Sequence, residues 1–182
     1  MSEIISTIHE RADDRRTRDF FAQYGHVAIA DAYDSMLGDL ATLAADRSAR
    51  LHTNKRLGGQ VGDINYGHLR ADNPIRRVIV SIIQNLELIG EPFEAITNEE
   101  LRVQVIDHRP RAEGVWHQDK GVAVATLNGS SWLEIKGSGD APDAAYELIP
   151  GRIVIMNPTL LPVHRGVAGG VSRTGLAIER VS

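Results

Sequence analysis

Gly114-Val115-Trp116-His117-Gln118-Asp119-Lys120-Gly121, running into Val122-Ala123-Val124-Ala125-Thr126-Leu127-Asn128, is the stretch on which the fold of this chain turns. His117 and Asp119 are two apart, so on a β-strand over 114–119 an imidazole and a carboxylate project from the same face. A second imidazole, His164, closes Leu161-Pro162-Val163-His164, just after Gly151-Arg152-Ile153-Val154-Ile155-Met156-Asn157-Pro158, and Arg173 follows nine positions later. Two histidines and one carboxylate form the facial set that holds Fe(II) on one side and leaves the opposite positions open. The guanidinium fork of Arg173 suits a small-molecule carboxylate bound through two hydrogen bonds. Alone, a His-x-Asp pair is usually a surface accident and a single histidine is usually inert. The ordered set His-x-Asp, His, Arg on short apolar strands is a far rarer coincidence.

On these residues, with Thr126-Leu127-Asn128 and Trp132-Leu133-Glu134-Ile135 between them, positions 101–182 resemble the catalytic core of the Fe(II)/2-oxoglutarate-dependent oxygenases. Within them they resemble the prolyl-hydroxylase-like group, with phytanoyl-CoA-hydroxylase-like proteins as near relatives. The resemblance implies that His117, Asp119 and His164 bind iron and act in catalysis, and that Arg173 binds the far carboxylate of 2-oxoglutarate. Thr126 is the candidate for an added hydroxyl at that carboxylate. It implies consumption of O2 and 2-oxoglutarate, release of succinate and carbon dioxide, and hydroxylation of a second substrate. Halogenases of this superfamily replace the carboxylate ligand with a small residue, so Asp119 favours hydroxylation. The sequence departs from the family pattern at Gly175, where a hydroxyl residue often follows the arginine by two, and at Thr126, often a tyrosine. The substrate expected is a small molecule, an amino acid or natural-product intermediate, and peptidyl prolyl-type hydroxylation is the alternative. From other classes, a metal cupin without 2-oxoglutarate leaves Arg173 without a task, and a non-catalytic binding module has no need of all three ligands.

Composition sets the outer bounds. At 182 residues the chain is expected to be a single oxygenase domain, with 1–92 as helical support and irregular loop and 93–182 as the core. Apolar residues make up 42% and charged residues 24%, ordinary for a globular protein. Net charge is −4, and the short arginine clusters form no basic stripe, so no nucleic-acid partner is expected. There are no cysteines, which excludes disulfides and thiolate metal sites and fits the reducing cytoplasm. Residues 1–14 carry no apolar signal-peptide region, and no run approaches the ~18 apolar residues of a membrane span. A homodimer stays open.

Upstream, Ile4, Ile5, Ile8, Phe20 and Phe21 suggest a helix over 3–23 ended by Gly25, then a strand over 26–30. A second helix is expected over about 34–46, with Met36, Leu37, Leu40 and Leu43 as its apolar face. Residues 47–72 lack periodicity and read as a loop or irregular hairpin near the barrel mouth. There Asp63, Tyr66 and Arg70 are candidate substrate contacts, with His108 and Trp116 beside the His-x-Asp pair. Asn73-Pro74 starts a helix to about Leu88. Strands are expected near 93–96, 101–107, 114–119, 121–127, 131–136, 145–148, 152–156, 162–167 and 173–180. The fold class expected is mainly β with supporting N-terminal helices: a double-stranded β-helix, a jelly-roll barrel of the cupin kind.

Overall fold

The computed structural model describes residues 4–55, 59–90, 92–93 and 101–181. Among these, the elements are β1 (Ile8–His9), α1 (Arg15–Tyr24), β2 (His26–Ile29), α2 (Ser35–Ser48), β3 (His52–Asn54), β4 (Gly59–Ile64), a 3-10 turn (Tyr66–His68), α3 (Pro74–Ile89), β5 (Leu101–His108), β6 (Gly121–Asn128), β7 (Ser131–Ile135), β8 (Ala144–Leu148), β9 (Ile153–Met156), β10 (His164–Ala168) and β11 (Arg173–Arg180). They build an eight-stranded sheet in the order β1-β2-β9-β6-β11-β5-β4-β3 and a three-stranded sheet in the order β10-β7-β8. The described residues are thus mostly β, in two sheets rather than one closed barrel.

Two-residue alternation divides the side chains of the large sheet. Val27, Ile29, Val105, Ala125, Leu127, Ile153, Ile155, Leu176 and Ile178 point to one face, where the three helices cover them. Ala28, Val124, Val154 and Met156 point to the other, against Leu133, Ile135, Tyr146 and Leu148 of the small sheet. Alternation is legible only while the backbone stays extended, and every strand here keeps it. α3 is anchored by Asn73, whose side chain accepts from the Ile75 amide at 2.9 Å, with Pro74 in the first turn. Its buried stripe is Ile75, Val78, Ile79, Ile82, Leu86 and Ile89. At about 1.5–3 kcal/mol per buried aliphatic side chain, that stripe fastens the helix to the sheet.

Several expectations are corrected. The first helix begins only at Arg15, capped by Asp14. Ile5 instead pairs with β8, its amide donating to the Asp143 carbonyl at 2.8 Å, and Ile8–His9 runs parallel to β2. β-Branched residues at 4, 5, 7 and 8 favour extended backbone when a sheet edge is available. In α2 the buried face is Leu37, Ala41 and Ala45, while Met36, Leu40 and Leu43 are exposed. The helix packs through its small residues because it lies close on β6: a Cβ at Gly38 would stand 2.7 Å from the Leu127 carbonyl oxygen. The stretch read as irregular contains β3 and β4, and β4 pairs with β5 in full register from Gly59↔His108 to Ile64↔Val103. The N-terminal half therefore supplies four strands of the large sheet as well as the helices. The segment 114–119 is no regular strand. It meets β10 only at the isolated bridges Glu113↔Val167 and His117↔His164, whose registers differ by one residue. The strand expected over 93–96 lies outside the described residues beyond Phe93, which is buried against Phe21.

Candidate metal centre

His117, Asp119 and His164 come together with one ligand atom from each within 4.8 Å of the others. His117 Nε2 is 3.3 Å from Asp119 Oδ2, His164 Nε2 is 3.7 Å from Asp119 Oδ1, and the imidazole centroids are 4.4 Å apart. The bridge between His117 and His164 holds the two backbones side by side through reciprocal hydrogen bonds of 3.0 and 2.9 Å. Each Nδ1 faces a carbonyl oxygen, Val115 at 2.7 Å for His117 and Pro162 at 2.9 Å for His164. A carbonyl only accepts, so Nδ1 carries the proton in both rings and Nε2 offers its lone pair to the cluster. This is the outer-shell arrangement that orients metal-binding histidines. Burial opposes ionisation of Asp119, but the His117 hydrogen bond, the nearby His164 and the Gly121 amide at 2.9 Å hold its carboxyl down at about 2. Two neutral imidazoles and a carboxylate are the donor set of an open Fe(II) site. Gly121 keeps the space: a Cβ there would stand 2.9 Å from Asp119 Oδ1.

Arg173 is the largest fully buried side chain among the described residues. Its Nε donates to Thr126 Oγ1 at 3.0 Å, Nη1 faces His108 Nδ1 at 3.2 Å, and Nη2 donates to the Ala125 carbonyl at 3.4 Å. A guanidinium has no lone pair to accept with, so His108 Nδ1 is the acceptor and its proton sits on Nε2. These partners are uncharged, and burial lowers the arginine's pKa to about 10. Gly175 allows this pose, because a Cβ there would stand 2.6 Å from Nη2. The missing hydroxyl two positions after the arginine is replaced across the ladder by Thr126, which pairs with Gly175. Tyr33 in turn donates to the Thr126 carbonyl oxygen and fixes that strand from the helix side.

Both groups line one cavity of about 40 Å³, with Ile106, Val124, Leu133 and Met156 as apolar walls and Glu179 at its rim. That is room for roughly three water-sized groups in line. His108, a candidate substrate contact, lies in it as the neighbour of Arg173. Trp116 does not line it: its ring is flanked by Lys136 Nζ and the Arg165 guanidinium, each 4.8 Å from the centroid. Arg70 pairs with Asp72 at the surface, and Tyr66 lies under the Arg76 guanidinium. Asp63 is held by both edge nitrogens of Arg102 at 2.9 and 3.1 Å and by Gln104 at 3.0 Å, apart from the cavity lining. Glu179, Gly121 and Gly175 were not singled out from sequence. For Glu179 the signal was present, since strand alternation carries the face of Arg173 through 175 and 177 to 179.

No family model matches the sequence, and no curated protein matches it. Solved structures do match the fold. A prolyl-4-hydroxylase from Pseudomonas putida superposes with a TM-score of 0.66 at 17% identity, over 90% of this chain and 95% of that one. The epimerase SnoN of nogalamycin biosynthesis, solved with Fe3+ and alpha ketoglutarate, gives 0.64 at 14% identity over 91% and 82%. A 2OG-Fe(II) oxygenase family oxidoreductase from Burkholderia pseudomallei gives 0.60 at 12% identity over 96% and 95%. The chain has the fold of these 2-oxoglutarate- and iron-dependent enzymes, with a His-Asp-His cluster and a buried arginine in one cavity of that fold.

Proposed function

We propose that this protein is an Fe(II)- and 2-oxoglutarate-dependent oxygenase that hydroxylates a small molecule. The observation that carries the proposal is Arg173: a buried cation with uncharged partners, in a cavity whose metal-binding cluster is complete. A desolvated charge calls for a counter-charge, and a dicarboxylate reaching from the cluster to the guanidinium supplies one. His117, Asp119 and His164 would hold the iron. Arg173 and Thr126 would hold the far carboxylate, with the threonine hydroxyl free to donate because its oxygen already accepts from Arg173 Nε. Bound iron with 2-oxoglutarate and O2 would supply the oxidising chemistry, releasing succinate and carbon dioxide. The protein's own work is to keep both Nε2 lone pairs aimed at one point, to keep Asp119 ionised, and to exclude water with apolar walls. The likeness to oxygenases named for iron and 2-oxoglutarate supports this reading.

The reading includes one domain over 1–182 in a double-stranded β-helix jelly roll, a cytoplasmic location suited to a cysteine-free chain, and a homodimer supported by the exposed stripe Met36, Leu40 and Leu43 on α2. Peptidyl hydroxylation is the second reading, favoured by the likeness to prolyl hydroxylases, one of them solved with a peptide of hypoxia inducible factor. The anaerobic protein is expected to bind one Fe(II) per chain by elemental analysis and His164→Ala to lose it, and full occupancy in that variant sinks the metal assignment. Succinate release screened against amino-acid and peptide libraries separates the two substrate readings, and stimulation by peptides alone overturns the first.

A further inference from the structure

Arg173, Gly175, Ala177 and Glu179 share one face of β11, while Leu176 and Ile178 lie buried beneath the helices. The sequence along the cavity is thus charged, small, small, charged. Six residues of strand, roughly 20 Å, separate the two poles. Glu179 stands opposite Gly121 on β6, two residues from the metal carboxylate, and its side chain lines the same cavity at 21% exposure. A register shift lies between Ile178 and Glu179. Such bulges beside active sites re-aim a side chain.

We infer that Glu179 binds a cationic group, an ammonium or guanidinium, on the prime substrate of this oxygenase; the inference rests on the iron and 2-oxoglutarate reading above. Charge balance carries it. Fe(II) and Arg173 together are neutralised by Asp119 and the two carboxylates of 2-oxoglutarate. Arg102 and Asp63 neutralise each other through a two-pronged pair. The remaining charge at the rim is the carboxylate of Glu179. Arg102 Nη1 approaches Glu179 Oε2 only to 3.9 Å, beyond hydrogen-bond length, so it positions the carboxylate without occupying it. The order along the cavity then becomes arginine, co-substrate, metal and glutamate. A substrate cation held at Glu179 would set its carbon chain against the metal, and partial burial makes that pair stronger than an exposed one.

The test titrates hexylammonium, hexanol and hexanoate, by calorimetry under nitrogen, into protein loaded with Fe(II) and 2-oxoglutarate. Hexylammonium is expected to bind at least tenfold more tightly than the other two. Glu179→Gln is expected to bring all three within about twofold while keeping iron content and 2-oxoglutarate affinity. Asp63→Asn, which lets Arg102 turn wholly onto Glu179, is expected to weaken hexylammonium severalfold with Glu179 still present. A flat series, or preference for hexanoate, in protein that binds iron and 2-oxoglutarate normally overturns this inference and leaves the oxygenase reading standing. Failure to load iron or 2-oxoglutarate at all overturns the reading beneath it. A blocked lysyl tripeptide binding tenfold more tightly than hexylammonium, with the same dependence on Glu179, overturns the small-molecule source of the cation.

Discussion

Replacing Arg173 by methionine separates what the arginine does for binding from what it costs the fold. Burial lowers the guanidinium pKa from 12.5 to about 10, and at 1.36 kcal/mol per tenfold that is about 3 kcal/mol. The group is charged at pH 7 in both folded and unfolded chains, so the folded state carries the whole cost there; it is relieved only as pH rises from about 10 toward 12.5. Removing the cation removes this penalty but strips a donor from His108 Nδ1 and Thr126 Oγ1. Each acceptor left without a partner costs about 1–3 kcal/mol, and the threonine hydroxyl can rotate to recover part of that. The two effects nearly cancel. Arg173→Met without 2-oxoglutarate should therefore melt within roughly 5 °C of the parent, at about 2–4 °C per kcal/mol for a chain of this size. With 2-oxoglutarate at a hundred times its dissociation constant the parent should gain about 2.7 kcal/mol and the variant nothing. Thermal unfolding of both metal-loaded proteins, followed by circular dichroism with and without 2-oxoglutarate, reads this directly. An equal 2-oxoglutarate shift in the variant refutes the binding role. A loss above about 4 kcal/mol in the ligand-free variant refutes the claim that the buried cation is a cost held for function.

Gly175→Ala should act on the same contact by a different route, because its Cβ would stand 2.6 Å from both Arg173 Nη2 and the Ala125 carbonyl oxygen. Displacing the fork should weaken 2-oxoglutarate by roughly tenfold or more, about the worth of one charge-assisted hydrogen bond, with metal content unchanged; equal affinity by calorimetry disproves it. His26, bonded to Tyr146 at 2.9 Å, is held neutral by burial with its pKa down at about 4. The unfolded chain binds that proton first, so stability should be complete above about 6.5 and fall by up to about 3 kcal/mol as pH drops from 6.5 to 4. Urea unfolding of His26→Phe should show a flatter pH profile across that window, and an identical slope would discard the assignment.

The metal cluster and Arg173 could be read from the sequence because their chemistry demands particular residue types. No other pairing of a neutral donor with a carboxylate gives the same side-by-side projection, and the spacing of His164 and Arg173 follows from strands of ordinary length. The core strands were legible for a similar reason: two-residue alternation survives even where both faces are buried, as in Ile153 to Met156. Packing distance was not legible. Nothing in Met36, Leu40 and Leu43 announces that α2 would turn them outward, because the deciding contact is the Leu127 carbonyl beneath Gly38. The edge of the large sheet was hidden too. Gly59 to Ile64 looks irregular as a string, and its regularity comes from the ladder that β5 offers it. Asp63 and Arg70 were polar residues in an apparent loop, and local ion pairs hold both.

Pairing offsets are the feature furthest from the sequence, and the site depends on them. Between Gly175 and Ile178, β11 and β6 pair without interruption, and a register shift bounds that run at each end. Continued in register, Glu179 would face Val122, and a valine side chain would stand at the cavity wall beside the metal carboxylate. The shift instead brings Gly121 opposite Glu179 and sends Val122 into the core under the helices. Asp119, two residues before Gly121, then has the space its carboxylate needs and takes the Gly121 amide as donor. The second shift, between Thr174 and Gly175, leaves Thr126 opposite Gly175, where its hydroxyl meets Arg173 Nε across the glycine. A bulge belongs to two strands at once. One strand's residues state which side chains are present, and only its partner's register states which of them meet.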